Sequence, residues 1–185
     1  MKYVGLILTP MMLLAGCGKG DVELKNATVE DVVKATTAAQ ALSPGEWSTS
    51  TQITAVDMPG APEKAKTMLA AITKAMVGKT TVTENCVTPE QAKKPDASMF
   101  AGANSGSCTF EKFSMSGGKM DAVMACAQPG APGKMKMTMN GQYGGDSYAL
   151  TSQILMSGGT GPNAGTGISV TATNTGKRTG ECKAS

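Results

Sequence analysis

Cys108-Thr-Phe-Glu-Lys-Phe-Ser-Met-Ser-Gly-Gly-Lys-Met-Asp-Ala-Val-Met-Ala-Cys126 is the stretch that decides the fold. Cys108 to Met115 and Lys119 to Cys126 read as two strands flanking Ser116-Gly117-Gly118, where glycine is free to take the positive φ that a tight hairpin turn needs. A three-residue loop sets Met115 opposite Lys119, Ser114 opposite Met120, Phe110 opposite Met124 and Cys108 opposite Cys126. One face then carries both thiols and the larger apolar side chains, and directly opposed Cβ atoms suit a disulfide. The spacing predicts an antiparallel hairpin closed by Cys108–Cys126, a bridge worth about 3 kcal/mol in the chain-entropy model.

Outward from the hairpin the same period of two recurs. Trp47, Thr49, Thr51 and Ile53 alternate with Ser48, Ser50, Gln52 and Thr54, and Met135, Met137, Met139 and Tyr143 with Lys134, Lys136, Thr138 and Asn140. That period, with β-branched or long apolar side chains, marks a strand with one buried face. Thr80 to Cys86, Ser147 to Met156 and Ile168 to Thr173 bring the count to about seven strands. Helices intervene. Thr28 caps one over about 29–40, with Asp31 three positions on as in a capping box. Ala65, Met68, Leu69, Ile72 and Met76 form an amphipathic helix over 62–77, ended by Gly78. Its stripe could lie on a membrane, but its charges are few, so packing on the sheet is the expected use. Thr88-Pro89-Glu90-Gln91 opens a third, short helix that Lys94-Pro95 stops. The fold class is mainly β (α+β): an antiparallel sheet of about seven strands, curled toward a barrel, with two or three short helices.

At the start of the chain, Lys2 and the apolar run Tyr3 to Leu14 lead into Leu14-Ala15-Gly16-Cys17. A basic residue, a short apolar segment and small residues before a cut are the parts of a signal peptide. Twelve residues of helix cover about 18 Å, too short for a bilayer core of about 30 Å. Leu-Ala-Gly-Cys resembles the lipobox of bacterial lipoproteins. The resemblance implies that Cys17 carries fatty acyl chains (palmitate is typical) and that the leader is cut just before it. Each buried CH₂ adds about 0.8 kcal/mol, so two or more chains hold firmly. Gly18 after the cysteine fits lipoproteins passed to the outer membrane, so the expected address is its periplasmic face. The expected organisation is a leader at 1–16, a lipidated tether at 17–27 and one disulfide-clipped, β-rich domain at 28–185.

Cys17 aside, the cysteines number four: Cys86, Cys108, Cys126 and Cys182. An even number in an exported chain reads as two disulfides, and with Cys108 joined to Cys126 the second is Cys86–Cys182. Zinc is disfavoured by the absence of Cys-x-x-Cys spacing and of any histidine. The net charge of +3 falls by one without Lys2, too little for the clustered basic footprint of a nucleic-acid binder.

Several landmarks together resemble one family. They are Pro44-Gly45-x-Trp47, Cys86-Val87-Thr88-Pro89-Glu90, the Cys108/Cys126 hairpin, Gly145-Asp146-Ser147-Tyr148 and Lys177-Arg178-x-Gly180-x-Cys182. In that order they look like the bacterial envelope family known as domain of unknown function 3617, over about residues 43–182. The resemblance implies an exported, often lipidated protein with antiparallel β structure and no established activity, so no catalytic residue is carried over. The helical insert at 62–77 and the Gly-rich loop near 157–167 extend beyond the family's pattern.

Zero histidines removes the commonest general base and metal ligand, and no Gly-x-Ser-x-Gly elbow, HExxH or phosphate loop is present. The expectation is a non-catalytic envelope lipoprotein that needs no cofactor. It touches the membrane through its anchor and binds a small apolar ligand, between the Met-rich face and helix 62–77, or an envelope partner. The alternative is a methionine-rich Cu(I) protein, because Met135, Met137 and Met139 align three soft thioethers on one strand face. Methionine also fills a core short of aromatics, and this chain has three phenylalanines and one tryptophan.

Overall fold

The Cys108–Cys126 hairpin is the centre-left of a larger sheet. The computed structural model describes residues 21–39, 42–93, 107–127, 133–158 and 167–183. The leader 1–16, Cys17, Lys94-Pro95 and most of the Gly-rich loop 157–167 lie outside the described residues. The strands are β1 (Val22–Thr28), β2 (Gly45–Asp57), β3 (Thr80–Val87), β4 (Cys108–Ser116), β5 (Lys119–Ala127), β6 (Gly133–Tyr143), β7 (Ser147–Gly158) and β8 (Gly167–Gly180). The helices are α1 (Val29–Ala39), α2 (Glu63–Thr73) and α3 (Pro89–Lys93). All eight strands pair antiparallel in the order β1-β4-β5-β6-β7-β8-β2-β3, so β1 and β3 are free edges and the sheet does not close into a barrel.

The strand beyond the expected seven is β1, cut from the stretch read as tether. Val22-Glu23-Leu24-Lys25 does alternate, but four residues are too few to separate a strand from a polar spacer by pattern. Pairing along β4, from Val22 opposite Met115 to Thr28 opposite Thr109, makes it a strand.

The hairpin register holds at one end and shifts at the other. Cys108 faces Cys126 and Phe110 faces Met124, but Met115 faces Met120 and Ser114 faces Asp121, because Glu111 is an extra residue in β4. The bulge switches the phase of the strand. Strict alternation after Phe110 would turn Lys112 and Ser114 inward; the bulge instead buries Phe113 and Met115. The turn shortens to Gly117-Gly118, both with positive φ (55° and 76°), as a two-residue hairpin of the favoured twist requires. β1 makes the same step: Asn26, at φ 50°, stands across from Glu111, and Leu24 and Ala27 follow Phe113 and Phe110 onto the core. Asparagine tolerates this left-handed conformation where most side chains do not.

Helix placement follows from strand order. α1 joins β1, first in the sheet, to β2, seventh, and α3 lies between β3, eighth, and β4, second. Both helices lie over the inner face. α1 buries Val29, Val32 and Thr36 completely, in a core with Phe110, Phe113 and Met124; the two phenylalanine rings meet edge to face at 5.5 Å. Its start is a reciprocal cap: the Asp31 N–H donates to Thr28 Oγ1 (3.1 Å) and the Thr28 N–H to Asp31 Oδ2 (3.1 Å). The Thr28 hydroxyl also donates to Asp31 Oδ2 (2.8 Å), and this bond, with the one from the Thr28 N–H, holds the Asp31 carboxyl below its ordinary value. Thr88 and Gln91 cap α3 in the same way, at 2.9 and 3.2 Å.

α2 joins neighbours, β2 and β3, and so stays beside the sheet's far edge. The expectation that its stripe packs on the sheet is corrected: Met68, Ile72 and Met76 are 59%, 71% and 51% exposed, and Thr73 is its buried residue. Among the described residues no helix is long and apolar enough to cross a membrane.

The phase switch is open to test. Asn26→Gly should leave thermal stability unchanged or slightly raised, whereas Asn26→Val should cost about 1–2 kcal/mol, measured by chemical denaturation.

Candidate functional site

Past the α1 contact, the inner face continues as an open trough. β6 turns Met137, Met139 and Tyr143 toward it and β7 adds Tyr148, Leu150 and Ser152, each at alternate positions as strand geometry dictates. Met115 and Met120, directly opposed on β4 and β5, close one side, and Val87 at the end of edge strand β3 closes the other. For Val87 and Met115 to border one space the sheet has to curl. Thr36 of α1, Leu42, and Gln91 and Ala92 of α3 complete the wall. The cavity holds about 420 Å³, within the range of small-molecule sites.

Small residues make the room. One row across the sheet reads Met120, Gly141, Leu150, Asn174, Thr51, and the next Ala122, Met139, Ser152, Ala172, Ile53. Gly141 leaves no side chain between Met139 and Tyr143, and a Cβ there would collide with the β7 backbone at Ala149. Tyr148 lays its ring across Gly176 and stacks on buried Trp47 at 6.0 Å, with its hydroxyl 3.2 Å from Thr49 Oγ1. The Trp47 indole N–H donates to the Ser43 carbonyl at 3.0 Å.

Polar groups gather on one part of the wall. Thr51 Oγ1 donates to Asn174 Oδ1 (3.0 Å) and Asn174 Nδ2 donates to Ser152 Oγ (3.0 Å). No Asp, Glu, Lys or Arg borders the cavity among the described residues. Burial, and behind it the Asp21 carboxylate, holds the Tyr143 phenol above its ordinary value.

Of the three aligned methionines, Met137 and Met139 border the cavity, while Met135 packs on the core cluster one step along, opposite Cys126. Neighbours on one strand face are about 7 Å apart, so a thioether site would draw sulfurs from several strands, with Met115 and Met120 beside Met139. The site expected between the Met-rich face and helix 62–77 is instead roofed by α1 and α3; α2 takes no part. Sequence reading missed Leu150, Ser152 and Asn174. The alternation in β7 was a usable signal for the first two, but Asn174 sits in a run of threonines that marks no face.

Apart from the Cys108/Cys126 pair, which lies at the far end of its strands, the quoted landmarks converge at one end of the sheet. Arg178 Nε donates to the Pro44 carbonyl (2.7 Å) over Gly45, where a Cβ would strike the guanidinium. The Ser43 N–H donates to the Gly145 carbonyl (2.8 Å) and the Arg178 N–H to the Asp146 carbonyl (2.9 Å). Cys86 and Cys182 stand at disulfide distance with Cα atoms 5.4 Å apart, linking the two strands that flank β2; Cys108 and Cys126 do so at 4.0 Å. All of these but Cys108 and Cys126 build the end wall that carries Trp47 and Tyr148. Gly176→Ala should force the Tyr148 ring off Trp47, with a red shift of Trp47 emission and a stability loss of about 1–3 kcal/mol by overpacking.

No curated protein and no solved structure matches the chain. A family model described as protein of unknown function (DUF3617) matches residues 42–182, from the residue before Ser43 to Cys182, leaving β1 and α1 outside the matched span. With most of its length covered, every strand of the cavity wall included, the chain belongs to the DUF3617 family.

Proposed function

We propose that this protein is a non-catalytic binding module of the bacterial envelope that takes a small apolar ligand into the trough. The observation that carries the reading is a cavity of about 420 Å³ walled mainly by thioethers, aromatics and aliphatic side chains, with a few neutral polar groups and no charged group among the described residues. Water in such a space finds few partners, and an apolar ligand replaces it favourably. Methionine side chains are unbranched and adapt to a guest, which suits a site built mainly from them. The lipobox at Leu14 to Cys17 supports the address: acylation at Cys17 would hold the domain at the periplasmic face of the outer membrane. The soft-metal alternative uses the same wall, through Met115, Met120 and Met139.

The test uses the chain without residues 1–20, which keeps every described strand, helix and disulfide. The neutral fluorophore N-phenyl-1-naphthylamine should bind saturably, and Leu150→Trp, which fills the cavity, should weaken it at least tenfold with far-UV circular dichroism unchanged. Native mass spectrometry should show a co-purifying lipid-sized mass. No probe binding and no bound mass would overturn the reading; Cu(I) captured from a colorimetric chelator in place of the probe would favour the alternative.

A second reading rests on α2. We infer that its exposed stripe of Met68, Ile72 and Met76 lies on an anionic bilayer surface, because Lys64, Lys66, Lys74 and Lys79 accompany it against the single Glu63. Ile72→Trp emission should shift to the blue with phosphatidylglycerol vesicles and not with phosphatidylcholine alone. An unchanged spectrum with both would overturn it.

A further inference from the structure

We infer that the cavity selects neutral amphiphiles, an uncharged apolar chain bearing one hydrogen-bonding head, and that Asn174 receives the head. The inference rests on the reading of the trough as a ligand site and adds the chemistry of its occupant. Two observations carry it. First, no acidic or basic side chain borders the cavity among the described residues. A carboxylate or ammonium ion entering it would lose its hydration without gaining a counter-charge, a loss that burial makes severe.

Second, the wall is not uniformly apolar. Thr51, Asn174 and Ser152 form a ladder across β2, β8 and β7, with both bonds at 3.0 Å. An amide offers two N–H donors and two lone pairs. Thr51 occupies one lone pair of Asn174 Oδ1 and Ser152 takes one proton of Nδ2, which leaves one donor and one acceptor. A hydroxyl, ester or amide head can answer both at once. Leu150 neighbours Asn174 across the β7–β8 pairing, and beyond it Met120 lies in the same row, so a chain attached to that head runs onto apolar wall.

The experiment measures displacement of N-phenyl-1-naphthylamine at pH 7.5 by decan-1-ol, decanoate and decylamine, which share a chain and differ in head charge. Decanol should displace the probe at a concentration at least tenfold below either ion. Asn174→Leu should lower decanol affinity several-fold more than it changes probe affinity, and Asn174→Asp should move decylamine ahead of decanoate. Probe binding with equal displacement by all three, or with decanoate foremost, would overturn the selectivity while leaving the ligand site standing. Failure of the probe itself to bind would overturn the site and this inference together.

Discussion

Two strands that are consecutive in the chain, β1 and β2, stand first and seventh in the sheet, and the molecule is arranged around that separation. The connection between them has to cross the inner face, and it does so as α1, whose Val29 and Val32 are fully buried against Phe110 and Phe113. α3, which follows β3, lies over the same face. α1 packs one half of the curled sheet's inner side, and past it lies the open half, the cavity that α1 and α3 border. α2, between adjacent strands, is left at the margin with its apolar stripe in solvent.

The packed half depends on a second constraint, local rather than topological. A period of two cannot keep Cys108, Phe110, Phe113 and Met115 on one face, because the last two are out of phase with the first two. The bulge at Glu111 and the left-handed Asn26 beside it supply the missing step in both strands at once. The extruded Glu111 carboxylate finds Lys136 on β6 at 2.8 Å, an exposed pair that contributes little stability. Without the step, Met115 could not reach the cavity wall beside Met120.

The open half is shaped by what is absent from its strands. Glycine at 141 lets the β7 backbone come close, small residues at 152 and 172 leave space that branched side chains would fill, and Tyr148 occupies the gap over Gly176 to meet Trp47. The landmarks that carry the family resemblance lie largely in the end wall of this trough, bound by backbone hydrogen bonds and the Cys86–Cys182 pair. These landmarks therefore hold the frame, while the proposed ligand contacts sit on ordinary strand positions between them.

Local pattern determined a good deal. Alternation placed seven of the strands, Thr28/Asp31 and Thr88/Gln91 placed two helix starts, and the facing thiols placed Cys108 against Cys126, because hydrogen-bond period and capping chemistry act within a few residues. The bulge was not legible, since an inserted residue looks like any other polar residue until a partner strand shows that it has none. Nor was β1, whose four alternating residues needed the β4 edge to become a strand. The roof of the cavity lay furthest from reach: Met137 and Met139 were visible as one face, but which helix covered them depended on strand order. Strand order is set by pairing between residues far apart in the chain, and only the tertiary structure decided that α1 and α3, rather than the more conspicuous α2, close over the methionines.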